Sequence, residues 1–314
     1  MGKTYLVVHN VSFGYVRNVV RFIHRVLRNI VDADAELLIV DEIDAAGHEE
    51  GALVFVIGEN FARHIRRPGC RYVYLNFSVV LALGNPLNIS RPGWSAIRRK
   101  NSMLMEKLDL YDVLLDYYLP QTCVLQKRLR LPVLHFPVAV DPADIPAKTQ
   151  LDLRRYDVCF VGGLTERRRE IVTALSAGGL RLSPHQGVVF EDVVAQSRCC
   201  LNIHSHKCNH LETPRIVGAM AAATPVASER SYGLQDLIDQ DLLVTSSISS
   251  LAWATIELCD DRTRLKALSE SSFVWYRDIY LPKCYSHWIS LVFQLSKLLK
   301  MSIHESVGSD FSDR

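Results

Sequence analysis

Short apolar runs alternate with helical segments along the chain, first in its amino-terminal half and again in its carboxyl-terminal half. The runs are bounded by charged or turn-forming residues, as the strands of a buried sheet are. Because parallel strands need a crossover connection, usually a helix, this alternation predicts parallel sheets built from right-handed βαβ units. The predicted fold class is α/β, with two doubly wound, Rossmann-like domains facing a cleft. The strands are predicted at residues 4–8, 36–40, 52–57, 72–76, 111–115, 156–161, 180–182, 199–203, 226–227 and 242–245, and the helices at residues 16–30, 96–108, 165–177, 192–196, 215–223, 251–258, 262–276 and 282–299.

A proline-rich segment separates the two halves. Pro132, Pro137, Pro142 and Pro146 each remove a backbone donor and favour extended geometry in the preceding residue, so this segment is the predicted hinge. The predicted divisions are a first domain at 1–150, a second domain at 151–281, a helix at 282–300 that returns to the first domain, and a flexible tail at 301–314.

Composition predicts a soluble globular protein and excludes a strongly charged or membrane-spanning chain. Of the 314 residues, 48% are apolar and 22% are charged, and the net charge is +2. A surface for an anionic partner therefore has to be a local patch. No apolar run approaches the roughly 20 residues that a membrane span needs. The 8 cysteines form no CxxC pair, which favours reduced thiols and, with no signal peptide apparent, a cytoplasmic location.

The segment 199–229 has the pattern of a strand, a loop, a helix and a strand. Its helix is predicted to begin near Glu212 and Thr213, whose side chains are the expected partners for free N–H groups of the first turn. A loop that leads from the carboxyl end of a parallel strand into a helix N-terminus favours anionic ligands. Because the loop also carries His204 and Arg215, the sequence predicts a phosphate-bearing ligand here.

A second turn of this type follows the first strand of the carboxyl-terminal half. Gly162 and Gly163 allow the backbone to approach a phosphate closely, and Arg167 and Arg168 in the next helical turn can hold one through paired hydrogen bonds. Both turns are expected at the same edge of one sheet. An ordinary tight turn, which also uses glycine, is the alternative.

Other polar residues near this edge have two interpretations each. Ser228 and Glu229 end the strand that follows the helix, where they either face the ligand or belong to a solvated loop. Glu212 and Arg215 are three positions apart, so they either act together on the ligand or form a surface ion pair worth under about 1 kcal/mol.

The alternation of His204, His206, Cys208 and His210 raises the possibility of a metal site. One extended segment does not easily close a tetrahedron of four ligands, however. A polar loop in which one histidine contacts the ligand, with no metal, is therefore the predicted arrangement.

The first loop of the amino-terminal half occupies the corresponding edge of its sheet. It contains His9, Asn10 and Phe13, and His9 is a candidate general base because an imidazole titrates near neutral pH. Two basic stretches, 63–71 and 91–100, combine cationic and aromatic side chains, as a surface for nucleic acid, a lipid headgroup or an acidic glycan does. A solvated surface is the alternative. The second stretch contains Trp94, Arg98 and Arg99.

With these residues in view, the carboxyl-terminal half resembles the corresponding domain of GT-B glycosyltransferases, particularly bacterial and phage proteins similar to the CgeB type and to family 1 and family 4 enzymes. The resemblance covers residues 156–247, and over the first 150 residues it is limited to the order of elements. It is carried by Phe160-Val-Gly-Gly163 followed by Arg167-Arg168, by Leu201-Asn-Ile-His204, by Leu211-Glu-Thr-Pro-Arg-Ile216 and by Ala219-Met-Ala-Ala-Ala-Thr-Pro-Val-Ala-Ser-Glu229.

This resemblance implies a nucleotide-diphosphate sugar bound by the second domain, with no cofactor. Arginines and a helix N-terminus would stabilise the leaving diphosphate without a metal. The resemblance places Gly163 and Arg167 or Arg168 near the diphosphate. It also implies His204, Glu212 and Arg215 near phosphate and sugar, and Ser228 and Glu229 near the nucleotide.

One position departs from this family. Many members have a glutamate, which binds the ribose hydroxyls, immediately before Ala-Met-Ala, and here that position is Gly218. Ribose recognition must then come from another residue, such as Glu229, or the nucleotide is held differently. The two-glutamate spacing of retaining family 4 enzymes is also absent, so retention or inversion stays open.

The leading hypothesis is a metal-independent glycosyltransferase with His9 and Glu212 as catalytic residues. Its donor would lie in the second domain, and its acceptor against Asn10, Phe13, Trp94, Arg98 and Arg99. A non-catalytic nucleotide- or glycan-binding protein with a degenerate site is the second hypothesis, favoured by Gly218. A modified nucleic acid is the alternative acceptor. The sugar, the acceptor and the oligomeric state are left open.

Overall fold

The strands of the protein form two parallel sheets. The structure is a computed structural model, and it describes residues 2–83, 87, 89–146, 149–206 and 211–300. The chain divides into two compact units. One contains Met1–Ser78, Asn101–Pro137 and the chain from Lys283 onward, and the other contains Val79–Lys100 and Val138–Pro282. Each unit therefore combines separate stretches of sequence, whereas the sequence predicted one boundary, at residue 150, between the first and second domains.

The sheet of the first unit has the order β2-β1-β3-β4-β5-β6, and all of its pairs are parallel. After β2 the chain crosses to the other side of β1, so the order reverses between β1 and β3. β3 is buried along its whole length, as a central strand covered on both faces must be. The strands are β1 Thr4–His9, β2 Glu36–Val40, β3 Leu53–Ile57, β4 Arg71–Asn76, β5 Val113–Asp116 and β6 Val133–His135, and the helices of this part of the chain are α1 Asn10–Ile30, α2 Arg91–Met105 and α3 Leu119–Arg128.

Helix α1 begins earlier than the sequence predicted. The predicted loop after β1 is helical from Asn10, because the Nδ1 atom of His9 accepts a hydrogen bond from the backbone N–H of Val11 at 3.0 Å and caps the helix. Val16 has non-helical dihedral angles and interrupts the helix where the sequence places its start. Beyond that break, Val19, Phe22, Val26 and other apolar side chains, three and four positions apart, are buried.

Two elements of the first unit were missed from the sequence. Strand β6 has only three residues and lies within the proline-rich segment that was interpreted as a hinge. Helix α3 carries no clear apolar face, and a proline stands in its first turn. Short or weakly patterned elements such as these depend on their tertiary neighbours for stability.

The sheet of the second unit has the order β10-β9-β8-β7, again with parallel pairs. The weak strand predicted at residues 180–182 is confirmed as a single parallel bridge between Leu182 and Val158, on the side of β7 away from β8. The chain order therefore reverses between β7 and β8. The strands are β7 Tyr156–Cys159, β8 Ser197–Asn202, β9 Val226–Glu229 and β10 Val244–Ser246, and the helices are α4 Glu166–Ala177, α5 Phe190–Ala195, α6 Thr213–Ala221, α7 Leu234–Leu237, α8 Ile248–Asp260, α9 Arg262–Trp275 and α10 Leu281–Leu299.

Helices α9 and α10 are joined by one π-helical turn, Tyr276–Tyr280. The hydroxyl group of Tyr276 donates to the carbonyl oxygen of Val140 at 2.5 Å and accepts from its N–H at 2.7 Å, and the hydroxyl group of Tyr280 donates to Val138 at 2.8 Å. These bonds fix residues 138–140 of the proline-rich segment. Among the described helices, none combines the length and hydropathy that a membrane-spanning segment requires.

Candidate functional site

The predicted loops of the second unit meet at the carboxyl edge of its sheet, where the strand order reverses. Gly162 follows β7 and His204 follows β8, and these are the two strands that flank the reversal. Open α/β sheets bind ligands at this position because the loops on either side diverge and leave a crevice.

The glycine turn lies directly against two of the predicted arginines. Gly162 has a φ of +142°, and a Cβ atom there would lie 3.3 Å from Nη1 of Arg168 and 3.8 Å from Nη2 of Arg215. Its N–H donates to the carbonyl oxygen of His185 at 2.9 Å. The turn therefore needs a residue without a side chain, and the two segments that the sequence predicted to be neighbours are in contact.

The guanidinium group of Arg168 is buried and supports the loops of the site. It donates to the carbonyl oxygen of Ile203 from Nε at 3.1 Å and from Nη2 at 2.7 Å, and to Gly163 at 3.1 Å. It also lies over the ring of Phe160 at 5.0 Å. This arrangement leaves Arg168 little surface for a phosphate, unlike the direct contact that the sequence predicted.

Arg215 connects three parts of the same edge. It donates to Oδ1 of Asn202 at 2.6 Å and to the carbonyl oxygen of Val161 at 3.3 Å, and it forms an ion pair with Glu212. Glu212 occupies the N-cap position of α6 but makes no capping hydrogen bond. The predicted capping role is therefore wrong, because the carboxylate turns towards Arg215 and towards Arg168, which it approaches to 3.4 Å.

Arg167 is paired with Glu229, and both contact His204. Arg167 donates to Oε2 of Glu229 at 2.8 Å and to the carbonyl oxygen of His204 at 3.1 Å, and the N–H of His204 donates to Glu229 at 3.2 Å. Burial favours the neutral acid, but the hydrogen bonds from His204 and Arg167 outweigh it and lower the pKa of Glu229 to about 2. Glu229 is thus an ionised partner of Arg167, with little of its surface left for ribose.

Ser228, also predicted to face the ligand, is fully buried. Its hydroxyl group accepts from Nδ2 of Asn202 at 3.0 Å and donates to the carbonyl oxygen of Glu229 at 2.8 Å. The side chain therefore orients Asn202, which in turn holds Arg215, and it does not reach the surface of the site.

Two buried polar atoms at this edge have no hydrogen-bond partner within the described part of the chain: Oγ1 of Thr165 and Nδ1 of His204. Thr165 stands at the N-cap position of α4 without bonding to a helix N–H. Nδ1 of His204 lies 3.2 Å from Glu229 but is not aligned for a hydrogen bond, and its Nε2 atom lies 2.9 Å from Oγ of Ser231.

The loop after β8 is electropositive. Burial lowers the pKa of His206, and the positive charges of Arg168, Lys100 and Arg99 lower it further. The stretch 91–100 therefore acts electrostatically on this loop. Cys208 and His210 of the considered metal set lie outside the described residues, and within the described ones no group of three or more His, Cys, Asp or Glu side chains is arranged to hold a metal.

A segment that sequence reasoning did not single out completes this edge. A Cβ atom on Gly218 would lie 2.8 Å from Cε1 of Phe190, and one on Gly163 would lie 3.9 Å from Nε2 of Gln186. The ring of Phe190 thus occupies the space beside Gly218 that a larger residue would need. No pattern in residues 183–190 signals this role, because it arises only from the packing of α5 on α6.

The predicted catalytic histidine of the first unit is already engaged. Nδ1 of His9 accepts the N–H of Val11, so the neutral ring carries its proton on Nε2 and its free lone pair is in use. The geometry therefore does not support His9 as a general base. Asn10 is exposed, and Phe13 lies beneath Arg17 at 5.5 Å.

The other predicted acceptor residues belong to the second unit. Trp94, Arg98 and Arg99 lie within the stretch 79–100. Arg98 lies over the ring of Trp94 at 5.9 Å, and both arginines are exposed. The acceptor residues proposed from the sequence are thus divided between the two units.

The chain matches no protein-family model. Two relatives match part of it, both uncharacterized proteins of Acanthamoeba polyphaga mimivirus. L137 is 31% identical over 111 residues, and L138 is 30% identical over 116 residues. These matches cover 33% and 32% of this chain but only 15% and 13% of the relatives, so the chain spans a small part of their length.

Solved structures establish the fold class as GT-B, as predicted. Anabaena Alr3699/HepE in complex with UDP-glucose aligns with a TM-score of 0.59 at 10% identity, covering 93% of this chain and 99% of that one. Sucrose-phosphate synthase from Thermosynechococcus elongatus aligns with a TM-score of 0.55 at 11% identity, covering 94% and 99%. S. aureus TarM, in complex with fondaparinux, alpha-GlcNAc-glycerol and UDP, aligns with a TM-score of 0.54 at 9% identity, covering 78% and 56%.

Proposed function

We propose that the protein is a glycosyltransferase that uses a nucleotide-diphosphate sugar as donor. The observation that carries the proposal is the position of the cationic site at the strand-order reversal of the second sheet, in a chain with the GT-B fold. HepE and TarM, which share this fold, were solved with UDP-glucose and UDP. Their identity with this chain is low, so the site residues themselves supply the rest of the support.

The diphosphate would lie between the N-termini of α4 and α6. Helix N-termini present free N–H groups and a partial positive charge to an anion. Arg167 and Arg215 keep 18% and 16% of their side-chain surface exposed, and Thr165 and His204 each have a buried polar atom without a hydrogen-bond partner in the described part of the chain. In this proposal Gly162 and Gly163 allow close approach, while Arg168, Ser228 and Glu229 hold the site together. Fixed dipoles and charges of this kind stabilise a leaving diphosphate without reorganisation, and no metal is required.

Binding and turnover of UDP-glucose and UDP test the proposal. Titration calorimetry should detect UDP binding, and UDP-glucose should be hydrolysed slowly when water is the only acceptor. Arg215→Ala should weaken UDP binding by roughly tenfold or more, because a hydrogen bond to a charged group contributes about 1.5–3 kcal/mol.

Arg181→Ala is the matched control. Arg181 pairs with Asp157 at 3.0 Å near the start of β7, at the opposite edge of the sheet, so its loss should leave UDP affinity unchanged. If no nucleoside diphosphate binds, or if both variants bind UDP like the wild type, the proposal is wrong.

A non-catalytic binding protein is the second candidate. The observation that favours it is the internal pairing of the arginines, since Glu229 neutralises Arg167 and Glu212 lies between Arg168 and Arg215. Under this alternative UDP would raise the melting temperature, but UDP-glucose would not turn over with water or with any of a panel of sugar acceptors.

The finer parts of the proposal remain predictions. They are hexosyl transfer, metal independence, a cytoplasmic location, and acceptor contacts at Asn10, Phe13, Trp94, Arg98 and Arg99. The nucleic-acid acceptor also stays a prediction. It requires salt-dependent DNA binding that is lost when Arg98, Arg99 and Lys100 are neutralised.

A further inference from the structure

An uncharged surface lies at the start of helix α1, at the carboxyl edge of the first sheet. Residues 10–16 contain no charged side chain. They follow β1, one of the two strands that flank the strand-order reversal of this sheet. An open α/β sheet places groups that contact a ligand at this position.

Four residues share the exposed side of this helical turn. Asn10 and Gly14 are four positions apart, as are Val11 and Tyr15, so all four lie on one face, and all four are exposed. Val11 exposes 48% of its surface and Tyr15 exposes 76%. A Cβ atom on Gly14 would meet no atom within 4 Å beyond its chain neighbours. The missing side chain of Gly14 therefore leaves open surface between two exposed apolar side chains.

The loop after β3 holds this turn in place and adds a second amide. Nδ2 of Asn60 donates to Oγ of the buried Ser12 at 2.8 Å. The rings of His9 and Phe61 also pack edge to face, with centroids 5.0 Å apart. Asn60 is exposed, as Asn10 is, and a side-chain amide carries both donors and an acceptor. Two segments in contact thus present an aromatic ring, amides and no charge.

A sugar ring combines the two kinds of surface that these residues match. Its C–H groups form an apolar face that packs on an aromatic ring, and its hydroxyl groups both donate and accept hydrogen bonds. A polyanion would find no cation within residues 10–16, and the next one along the chain, Arg17, lies over the ring of Phe13 at 5.5 Å. A membrane surface would require a larger apolar area flanked by basic residues.

We propose that the face formed by Asn10, Val11, Gly14 and Tyr15, together with Asn60, binds a neutral glycan. The inference rests on the proposed glycosyl transfer, for which this glycan would be the acceptor. The ring of Tyr15 stacks on one pyranose ring, and Gly14 lets that ring approach the helix. The amides of Asn10 and Asn60 bond to its hydroxyl groups.

Gly14→Leu tests the proposal without disturbing the fold. The backbone of Gly14 has no positive φ and the space beside it is open, so a leucine fits there and covers the face. Saturation-transfer NMR with maltotriose, cellotriose and triacetylchitotriose should detect binding of at least one of them to the wild type. Gly14→Leu and Tyr15→Ala should weaken that binding by about tenfold or more at an unchanged melting temperature, because both remove the stacking contact. Tyr15→Phe keeps the ring and should bind within about threefold of the wild type.

Trp253→Ala is the matched control. It removes another strongly exposed aromatic side chain, 67% exposed, from α8 in the second unit, and it should leave glycan affinity unchanged. The inference is overturned if none of the three neutral trisaccharides binds, or if Gly14→Leu binds like the wild type. Binding of trigalacturonate or a DNA oligonucleotide that Gly14→Leu abolishes would overturn it as well.

UDP affinity separates this inference from the proposed function. All of these variants should bind UDP like the wild type, because none alters the candidate site at the edge of the second sheet. Failure of the wild type to bind UDP would overturn the proposed function. Failure of the neutral glycans alone, with UDP binding intact, would overturn only the inference about the first unit.

Discussion

At the residue scale, Phe160 shows how a single side chain organises the charged edge of the second sheet. The guanidinium groups of Arg168 and Arg215 lie over its ring at 5.0 and 5.6 Å. An aromatic face attracts cations and limits their hydration. The ring therefore keeps two like charges close together, and Glu212 between them offsets their repulsion.

Gly162 is the residue on which the packing of Arg168 and Arg215 at this edge depends most directly. We expect Gly162→Ala to lower the free energy of unfolding by about 1–3 kcal/mol, because the φ of +142° is unfavourable for alanine and the new methyl group lies 3.3 Å from Arg168. UDP binding should weaken in parallel. Urea unfolding and calorimetry measure the two effects.

Gly179 supplies the matched control. It has a φ of +83°, and a Cβ atom at this position would meet no atom within 4 Å beyond its chain neighbours. Gly179→Ala should therefore show only the backbone strain, and UDP binding should stay unchanged. Equal losses of UDP affinity in both variants would contradict the assigned role of Gly162.

At the scale of elements, helix α6 carries residues of the candidate site at its amino end and is held by a buried arginine at its carboxyl end. Its N-terminus carries Glu212 and Arg215, and its carboxyl end is held by the buried Arg154. Arg154 donates to Thr224 at 2.7 Å, to Ser197 at 2.8 Å, and to Ala222 and Ala223 at 3.3 Å each. A cation near the last carbonyl groups of a helix also interacts favourably with its dipole.

Arg154→Ala should therefore destabilise the second unit strongly. Its removal leaves several buried carbonyl groups without a donor, and we expect a loss of about 3–5 kcal/mol in the free energy of unfolding. Arg155→Ala is the neighbouring control, since Arg155 is exposed and only covers the ring of Tyr156 at 5.1 Å. Urea unfolding followed by fluorescence distinguishes the two. Similar midpoints would show that Arg154 does not hold α6.

At the scale of the whole molecule, buried titratable groups predict how stability depends on pH. Burial is the largest cause that lowers the pKa values of His64 and His135 to about 4 from an ordinary value of 6.5. Burial also raises the pKa of Asp116 to about 6 from 3.8. The histidines stabilise the fold above pH 6.5 and lose that contribution as the pH falls through about 4. Asp116 does the reverse, because its contribution is present below 3.8 and lost as the pH rises through about 6.

Among these three groups, two oppose one between pH 6.5 and pH 4, and burial also lowers the pKa values of His48 and His206. We expect the free energy of unfolding to fall on acidification over this range, by about 1.4 kcal/mol per pH unit for each net proton taken up on unfolding. His135→Gln should flatten this dependence, and Asp116→Asn should steepen it. Denaturant unfolding at a series of pH values measures the slopes, and a stability that rises on acidification in the wild type would refute the assignment.

The sequence by itself determined the class of fold and the location of the loops that form the candidate site. The alternation of apolar runs and helices specifies parallel sheets, and the carboxyl ends of parallel strands necessarily share one edge. The contact of Gly162 with Arg168 and Arg215 follows from that rule. Strand β6 and helix α3 were missed because a short strand and a weakly patterned helix carry little local signal.

Only the tertiary structure decided which side chains are available to a ligand. Arg168 is committed to Ile203, 35 positions away, and Glu229 to Arg167, 62 positions away. The lone pair of His9 is taken by its own helix. Residue type and spacing show which groups stand near an edge. Burial and pairing depend on chain segments that meet only after folding, and these determine whether such a group has a free hydrogen-bonding atom.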